Sequence, residues 1–545
     1  MLKLATILDN PGEPVAETRY RDPRELHRLG FNGQVLFETT ALSGLERPDV
    51  CSDGEVRRWV TQHFELVRRR VDEARNAQLS VYLAYDVLSL PKEVVAQDTS
   101  TLTCKNRPGT LCPASEPARD KSLAALEALL AQLPEVDGIV LRFGDNDASR
   151  LPHLVGNDIY LPHCARCSHQ GRAERILATI KPFYARIVEQ FKLRLIVRAW
   201  NVRPNGLHDS VDLCRRVQQQ LPGRPGNDGL VLSFKFTEAD FWRYQSWNGP
   251  SLAMGERPII YELECQREFE GKGTIPNWQV PLWRDGPPET PGGGLASVAG
   301  KINLAGLWAW VRGGGWGGPF VKDESWIDAN VFAVPRMADA PDADALTLGR
   351  AWIGERLGLE DEEAAQALYR ILEHSPTTVL EAFYIGPFAQ GRRNPWHPSA
   401  DWIQDDLVDA EAAWRMIQRL AADQLDEVVR EKRQAVERLA ADRVALQRLV
   451  TDENRRVLDP LVHSLVYAES LLRALHHLVA GLVAYRRFRE DGGAGAAAQC
   501  RRHLVDAQSH WDHHTQRTAT LSGVGTAFRE AHFWELTQRI LGEVG

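Results

Sequence analysis

Short, nearly continuous apolar runs recur along roughly the first 310 residues, and between them apolar positions return every three or four residues. The runs are Leu4–Leu8, Gln34–Phe37, Ser80–Tyr85, Gly138–Phe143, Leu193–Trp200, Leu230–Phe236, Ile259–Leu263 and Leu304–Trp310. A run that is apolar on both parities suits a strand buried on both faces. The segments between them, Pro23–Leu29, Glu55–Ala77, Ser122–Leu133, Arg172–Phe191 and His208–Leu221, carry helical spacing. Strands alternating with helices predict a parallel sheet, and eight such units predict a closed (β/α)8 TIM barrel. No glycine-rich nucleotide turn follows the first strand, which argues against a doubly wound dinucleotide fold.

The pattern changes after about Pro341. Ala345–Leu357, Asp361–His374, Asp409–Val450, Pro460–Arg487 and Ala498–His514 read as helices, with Asp409–Val450 one extended helix and Gly492–Ala498 a flexible connector. The expected architecture is a catalytic barrel over 1–340 followed by an all-helical C-terminal domain over 341–545. The helices either pack on the barrel or form the face of a homodimer.

Composition narrows the function classes. The net charge of −8, with Lys and Arg dispersed, provides no basic field for nucleic acid. No run approaches the ~20 apolar residues that cross a bilayer. The opening MLKLATILDNPGEP reads as a first strand and not as a leader, so a cytoplasmic location is expected. Among eight cysteines, Cys164 and Cys167 form a CxxC, and with Cys104 and Cys112 they suit a four-ligand zinc site, two loop-pinning disulfides or reduced thiols. The spacing leaves those three open. No cofactor is expected, and no metal is assigned to the catalytic site. Twelve of the 16 tryptophans fall between Trp200 and Trp402, a concentration that suits core packing or platforms for sugar rings.

In a barrel, catalytic groups sit beyond the C-terminal ends of the strands. Those positions hold Asp9, Asp86, Arg142, Asp145 and Asp147, Arg198 with Trp200, Lys235 leading to Asp240, and the acidic segment Glu262–Glu268. Arg142, Arg198 and Lys235 lie on three consecutive strands, where a cation is costly unless paired. They are either salt-bridge partners of the nearby acids or a pocket for an anionic group such as a carboxylate. Asp9, Trp200 and Trp316 are candidate substrate contacts, and Trp396-His397 is a candidate to close over the site.

The segment Phe234-Lys235 to Asp240-Phe241, with Lys235 five residues before Asp240 and Glu268 a further 28 residues on, resembles the α-glucuronidases of glycoside hydrolase family 67. Val197-Arg198-Ala199-Trp200 looks like the strand-five element of that family, and Leu8-Asp9-Asn10 is similar to its opening Trp-Asp-Asn. Trp326 to Asn330, Arg336 and the stretch Asp342–Trp352 resemble its sequence after strand eight. The resemblance covers roughly residues 1–355. It implies an inverting, exo-acting hydrolase of a terminal α-linked uronic acid. Asp240 and Glu268 would activate water, and Arg142, Arg198 and Lys235 would hold the sugar carboxylate. The chain departs from the family at the general acid, a Glu in the family and Asn146 here, so the role passes to a neighbour, Asp145 in preference to Asp147. The loops carrying Cys104–Cys112 and His153–His169 are where a different substrate would be read.

The expected function is therefore an α-glucuronidase-like glycosidase acting on an oligosaccharide, with no nucleic-acid or membrane partner. The alternatives are a barrel glycosidase for a neutral sugar and a catalytically silent carbohydrate-binding or scaffold protein.

Overall fold

The computed structural model describes residues 1–9, 15, 17–37, 53–144, 151, 153–223, 229–313, 322–391, 402–404, 407–521 and 533–545. The eight expected runs are strands: β1 (Leu2–Leu8), β2 (Gly33–Leu36), β3 (Ser80–Asp86), β4 (Gly138–Gly144), β5 (Arg194–Asn201), β6 (Leu230–Lys235), β7 (Ile259–Glu264) and β8 (Leu304–Gly313). Each pairs in parallel with its sequence neighbours, and β1 pairs with β8, closing a (β/α)8 barrel. At the closure Gly313 has φ +82°, and a Cβ there would stand 1.7 Å from the Leu8 carbonyl oxygen, so this approach of β8 to β1 requires glycine.

The helices around the barrel start where short polar side chains cap them. Asp22 accepts from the Arg24 amide ahead of α1 (Pro23–Leu29), and Asp53 accepts from Glu55 and Val56 ahead of α2 (Gly54–Asn76). Ser115 caps α3 (Glu116–Gln132). After α4 (Arg172–Tyr184) the chain widens into a π-helical turn over Ala185–Gln190, so the segment expected as one helix to Phe191 changes register near Pro182. Ser210 caps α5 (Val211–Gln218), and α6 (Val280–Asp285) lies between β7 and β8. The last barrel helix, α7 (Ser325–Asp339), is buried on nearly every side because the barrel lies under one face and the C-terminal helices under the other.

An ionic knot ties α7 to the start of the chain. Asp328 accepts from Tyr20 Oη at 2.8 Å, Trp352 Nε1 at 2.9 Å and Arg356 at 2.8 Å, and Glu324 lies 3.0 Å from Arg312 of β8. Buried carboxylates of this kind hold only while every partner is present.

The C-terminal region is helical as expected: α8 (Ala345–Leu357), α9 (Glu362–Phe383), α10 (Ala410–Gln418), α11 (Leu425–Arg448), α12 (Arg455–Asp491), α13 (Ala494–Thr518) and α14 (Phe533–Glu543). Two expectations fail here. The extended helix Asp409–Val450 is broken into α10 and α11, because Arg486 Nη1 of α12 captures the carbonyls of Ile417 at 2.6 Å and Leu420 at 2.8 Å, while Gln424 caps the Ala421 amide at 2.9 Å. The connector at Gly492–Ala498 shrinks to two residues, since Gly492 turns left-handed at φ +66° to end α12 and the alanine-rich run then starts α13. Buried apolar side chains form one continuous cluster from Leu4 of β1 to Ile540 of α14. Among the described residues no helix is long and apolar enough to cross a membrane.

Candidate active site

The barrel register gathers charged residues into one layer at the C-terminal ends of the strands. Asp86 of β3 lies beside Arg142 of β4, which lies beside Arg198 of β5; Lys235 of β6 lies beside Glu262 of β7. Glu262 and Glu264 lie two apart on one strand, so both side chains face the same way, opposite Trp308 and Trp310 of β8. Each of the three cations meets a carboxylate. Arg142 lies 3.3 Å from Asp86, Arg198 Nε donates to both oxygens of Glu262 at 3.0 and 3.1 Å, and Lys235 Nζ bonds Asp240 Oδ1. Ser233 Oγ also donates to Glu262 Oε1 at 2.7 Å.

Aromatic faces complete the surroundings of these cations. Lys235 Nζ is within 4.3 Å of the Trp200 ring centre, 4.1 Å of Phe241 and 4.8 Å of Trp310. Arg198 lies over Trp310 at 4.8 Å, and Arg142 over Phe37 at 4.9 Å. Ring quadrupoles stabilise a desolvated cation, so the boxed ammonium is kept in place by more than its ion pair. Trp310 is 3% exposed, and its Nε1 has no hydrogen-bond partner among the described residues.

Asp240 sits on a strained turn. It has φ +39° and the following Phe241 φ +63°, conformations that cost side-chain-bearing residues about 1 kcal/mol or more each. The turn is held by Asn248 N donating to Phe236 O at 2.9 Å and Trp242 N donating to Ala239 O at 3.0 Å. The strain delivers an accessible carboxylate, since the Asp240 side chain is 19% exposed whereas those of Asp86 and Glu262 are fully buried.

The last residue of β7 and the segment after it carry three more carboxylates, Glu264, Glu268 and Glu270, with different environments. Burial pushes the Glu264 carboxyl up to about 7, against the lowering effect of Arg267 at 3.2 Å. Lys235 and Asp240 also act on Glu264, so it shares their space, and its Oε1 accepts the Glu268 amide at 2.8 Å. Glu270 is equally buried, yet Arg243 and Arg267 outweigh that burial and hold its carboxyl well below the usual range. It accepts from Arg243 Nε at 3.0 Å, Arg267 at 2.7 Å, Asn277 at 2.8 Å and Tyr384 Oη at 2.7 Å. Glu270 is thus a brace that fixes the segment in which Glu268, 4% exposed, is presented.

Of the residues singled out in the sequence, Arg142, Arg198, Lys235, Trp200 and Asp240 form the layer just described, with Glu268 on the segment behind it. Asp9 stands at the end of β1, where Arg21 Nη2 holds its two oxygens at 2.6 and 2.7 Å. Asp145, Asn146, Asp147, Trp316 and Trp396-His397 lie outside the described residues. Every described tryptophan between Trp200 and Trp402 is buried, so most of that concentration packs the core and the barrel–helix junction. Glu262, Glu264, Phe241 and Trp310 were not assigned roles from the sequence. The alternation Glu262-Leu-Glu264 in an otherwise apolar strand was the available signal for two of them. His208 was also unassigned; burial lowers its pKa to about 3, and it meets Trp200 edge-on at 4.7 Å. A separate cavity of about 1030 Å³, lined by Arg19, Glu324, Arg455 and His463 among others, opens beside the ends of β1 and β8 and includes none of the layer.

No family model and no curated protein matches the chain. Solved structures do. A GH138 enzyme targeting pectin rhamnogalacturonan II is 12% identical with a TM-score of 0.59, the match covering 100% of this chain and 83% of that one. A mutant of the Thermobaculum terrenum O-GlcNAc hydrolase is 11% identical at TM-score 0.44, covering 100% and 94%. CpGH84B is 8% identical at TM-score 0.42, covering 100% and 77%. The first likeness shows a shared fold: a (β/α)8 barrel followed by helices, of a kind found in a glycoside hydrolase.

Proposed function

We propose that the chain is an inverting, exo-acting glycoside hydrolase that removes a terminal α-linked uronic acid from an oligosaccharide. The observation that carries this reading is the Lys235–Asp240 pair: a carboxylate on a strained turn beyond β6, accessible to solvent and oriented by an ammonium boxed in three rings. Backbone strain of this type concentrates at functional sites. In this reading Asp240 and Glu268 direct the attacking water, and Asp145 protonates the leaving oxygen. Arg142 and Arg198, beside Lys235 on consecutive strands, bind the sugar carboxylate together with it. The shared fold with a pectin-directed enzyme and the short motifs similar to family 67 support the same class of chemistry.

One observation favours a second reading. Each of the three cations already meets a carboxylate, which suits a neutral sugar, the cations serving only to orient Asp86, Glu262 and Asp240.

The test is a screen of aryl α- and β-glycosides, uronic and neutral, with the anomer of the first product followed by NMR. Turnover of α-uronides with inversion is expected. Asp240→Asn and Glu268→Gln should each lower it by about 10²–10⁴-fold with an unchanged circular dichroism spectrum. Turnover confined to neutral glycosides supports the second reading, and tight sugar binding with no turnover at all leaves a carbohydrate-binding protein.

A further inference from the structure

Cys104, Cys112, Cys164 and Cys167 converge from two separate barrel loops. Cys104 lies in a short hairpin, Thr103–Cys104 against Arg107–Leu111, and Cys112 directly follows it, in the connection between β3 and α3. Cys164 caps the helical turn Ala165–Ser168 and Cys167 lies within it, in the connection between β4 and α4. All four are buried, and their Sγ atoms lie within 4.8 Å of one another. Individual separations are 3.9 Å for Cys104–Cys167, 3.7 Å for Cys112–Cys164 and 3.5 Å for Cys164–Cys167.

Those distances exclude the disulfides among the options that spacing left open, and they match the spacing of a metal site. A disulfide requires sulfurs about 2.05 Å apart. Four thiolates around one zinc ion, each at about 2.3 Å in tetrahedral geometry, stand about 3.8 Å from each other. The sulfurs also act as acceptors. His163 N and Cys164 N point at Cys167 Sγ at 3.1 and 3.3 Å, and Arg166 Nε points at Cys112 Sγ at 3.4 Å. Arg166 is itself anchored on the carbonyls of Thr101 at 2.7 Å and Thr103 at 2.8 Å. Donors aimed at sulfur stabilise thiolate, the form that binds metal, and supply the outer hydrogen bonds of a thiolate metal centre.

We propose that these four cysteines bind one zinc ion as a structural tetrathiolate centre. With all four positions taken by buried sulfur, the ion has no open site for substrate, so its work is mechanical. It staples the loop after β3 to the loop after β4, which also meet where Leu90–Pro91 pairs with Leu154–Val155 and where Leu111 N donates to Gly156 O at 2.9 Å.

The experiment uses the untagged full chain. Elemental analysis is expected to find one zinc per chain. Replacement by cobalt should give the thiolate-to-metal charge-transfer absorption and d–d bands of a tetrahedral sulfur site. Cys167→Ser should lose the zinc, while His477→Ala, which alters the partly buried group of His477, His503 and Asp506 in α12 and α13, should retain it. If Cys167→Ser does not fold, the cobalt spectrum of the unaltered chain decides. Iron in place of zinc, cobalt bound without thiolate charge transfer, zinc lost only in His477→Ala, or an intact mass lowered by disulfide formation would each overturn the proposal.

Discussion

Glu264→Gln should remove a pH dependence from the stability of the whole chain. The Glu264 carboxyl is buried at the end of β7, where burial lifts it to about 7 in the folded state. In the unfolded chain it titrates near an ordinary ~4.3. Between those values the folded protein keeps a proton that the unfolded chain has released. Stability therefore falls as pH rises through that window and levels off above it. A gap of somewhat under 3 units, at about 1.36 kcal/mol each, amounts to ~3–4 kcal/mol, of which about 2–3 kcal/mol accrues between about pH 5 and about pH 8. Glutamine mimics the protonated acid: its carbonyl can still accept the Glu268 amide, now at 2.8 Å, and Arg267 keeps Glu270 at 2.7 Å. Urea unfolding of both proteins, followed by tryptophan fluorescence at the two pH values, measures the effect. The variant is expected to gain about 2–3 kcal/mol on the unaltered chain from the lower pH to the higher. A difference between the two proteins that stays constant to within about 1 kcal/mol across the window would refute the argument.

Two further outcomes follow from the same layer. Glu270→Gln leaves Arg243 and Arg267 buried around a neutral group, which should cost about 3–5 kcal/mol in urea unfolding; a loss below about 1 kcal/mol would mean that the two cations find other partners. Lys235→Met keeps the length of the side chain inside its aromatic box but removes the charge. Every substrate should lose the cation that orients Asp240, but only α-uronides also lose a partner for their carboxylate, so kcat/KM should fall by about 10-fold or more further for α-uronides than for neutral glycosides; equal losses on both would assign Lys235 to positioning Asp240 alone.

The barrel was legible because strands buried on both faces are written as unbroken apolar runs, and each of the eight runs meets its partner in register. The cations were legible for the complementary reason: Arg142, Arg198 and Lys235 interrupt such runs, and a charge in an apolar strand has to be accounted for. What the sequence could not disclose depends on non-local partners. Nothing near Arg419 marks the end of α10, because the capping guanidinium comes from Arg486, two helices later. The spacing of Cys104 and Cys112 does not state that a hairpin folds them onto Cys164 and Cys167. Glu270 looks like one more acid in an acidic segment until Arg243 and Tyr384 arrive from elsewhere in the chain. The raised pKa of Glu264 likewise comes from enclosure, which periodicity does not report.

The hydroxyl of Tyr384, just past the end of α9, reaches Glu270, and Ser375 Oγ of α9 accepts the Trp278 amide at 2.8 Å. Trp326 of α7 likewise donates to Ser464 of α12. The barrel is therefore not a detachable module with an appended scaffold. A chain cut near residue 340 would lose the acceptor of the Trp278 amide, one donor to Glu270 and the partner of the Trp326 indole. Helices far in sequence from the barrel strands are thus part of the wall that holds Glu270 and the residues around Trp278.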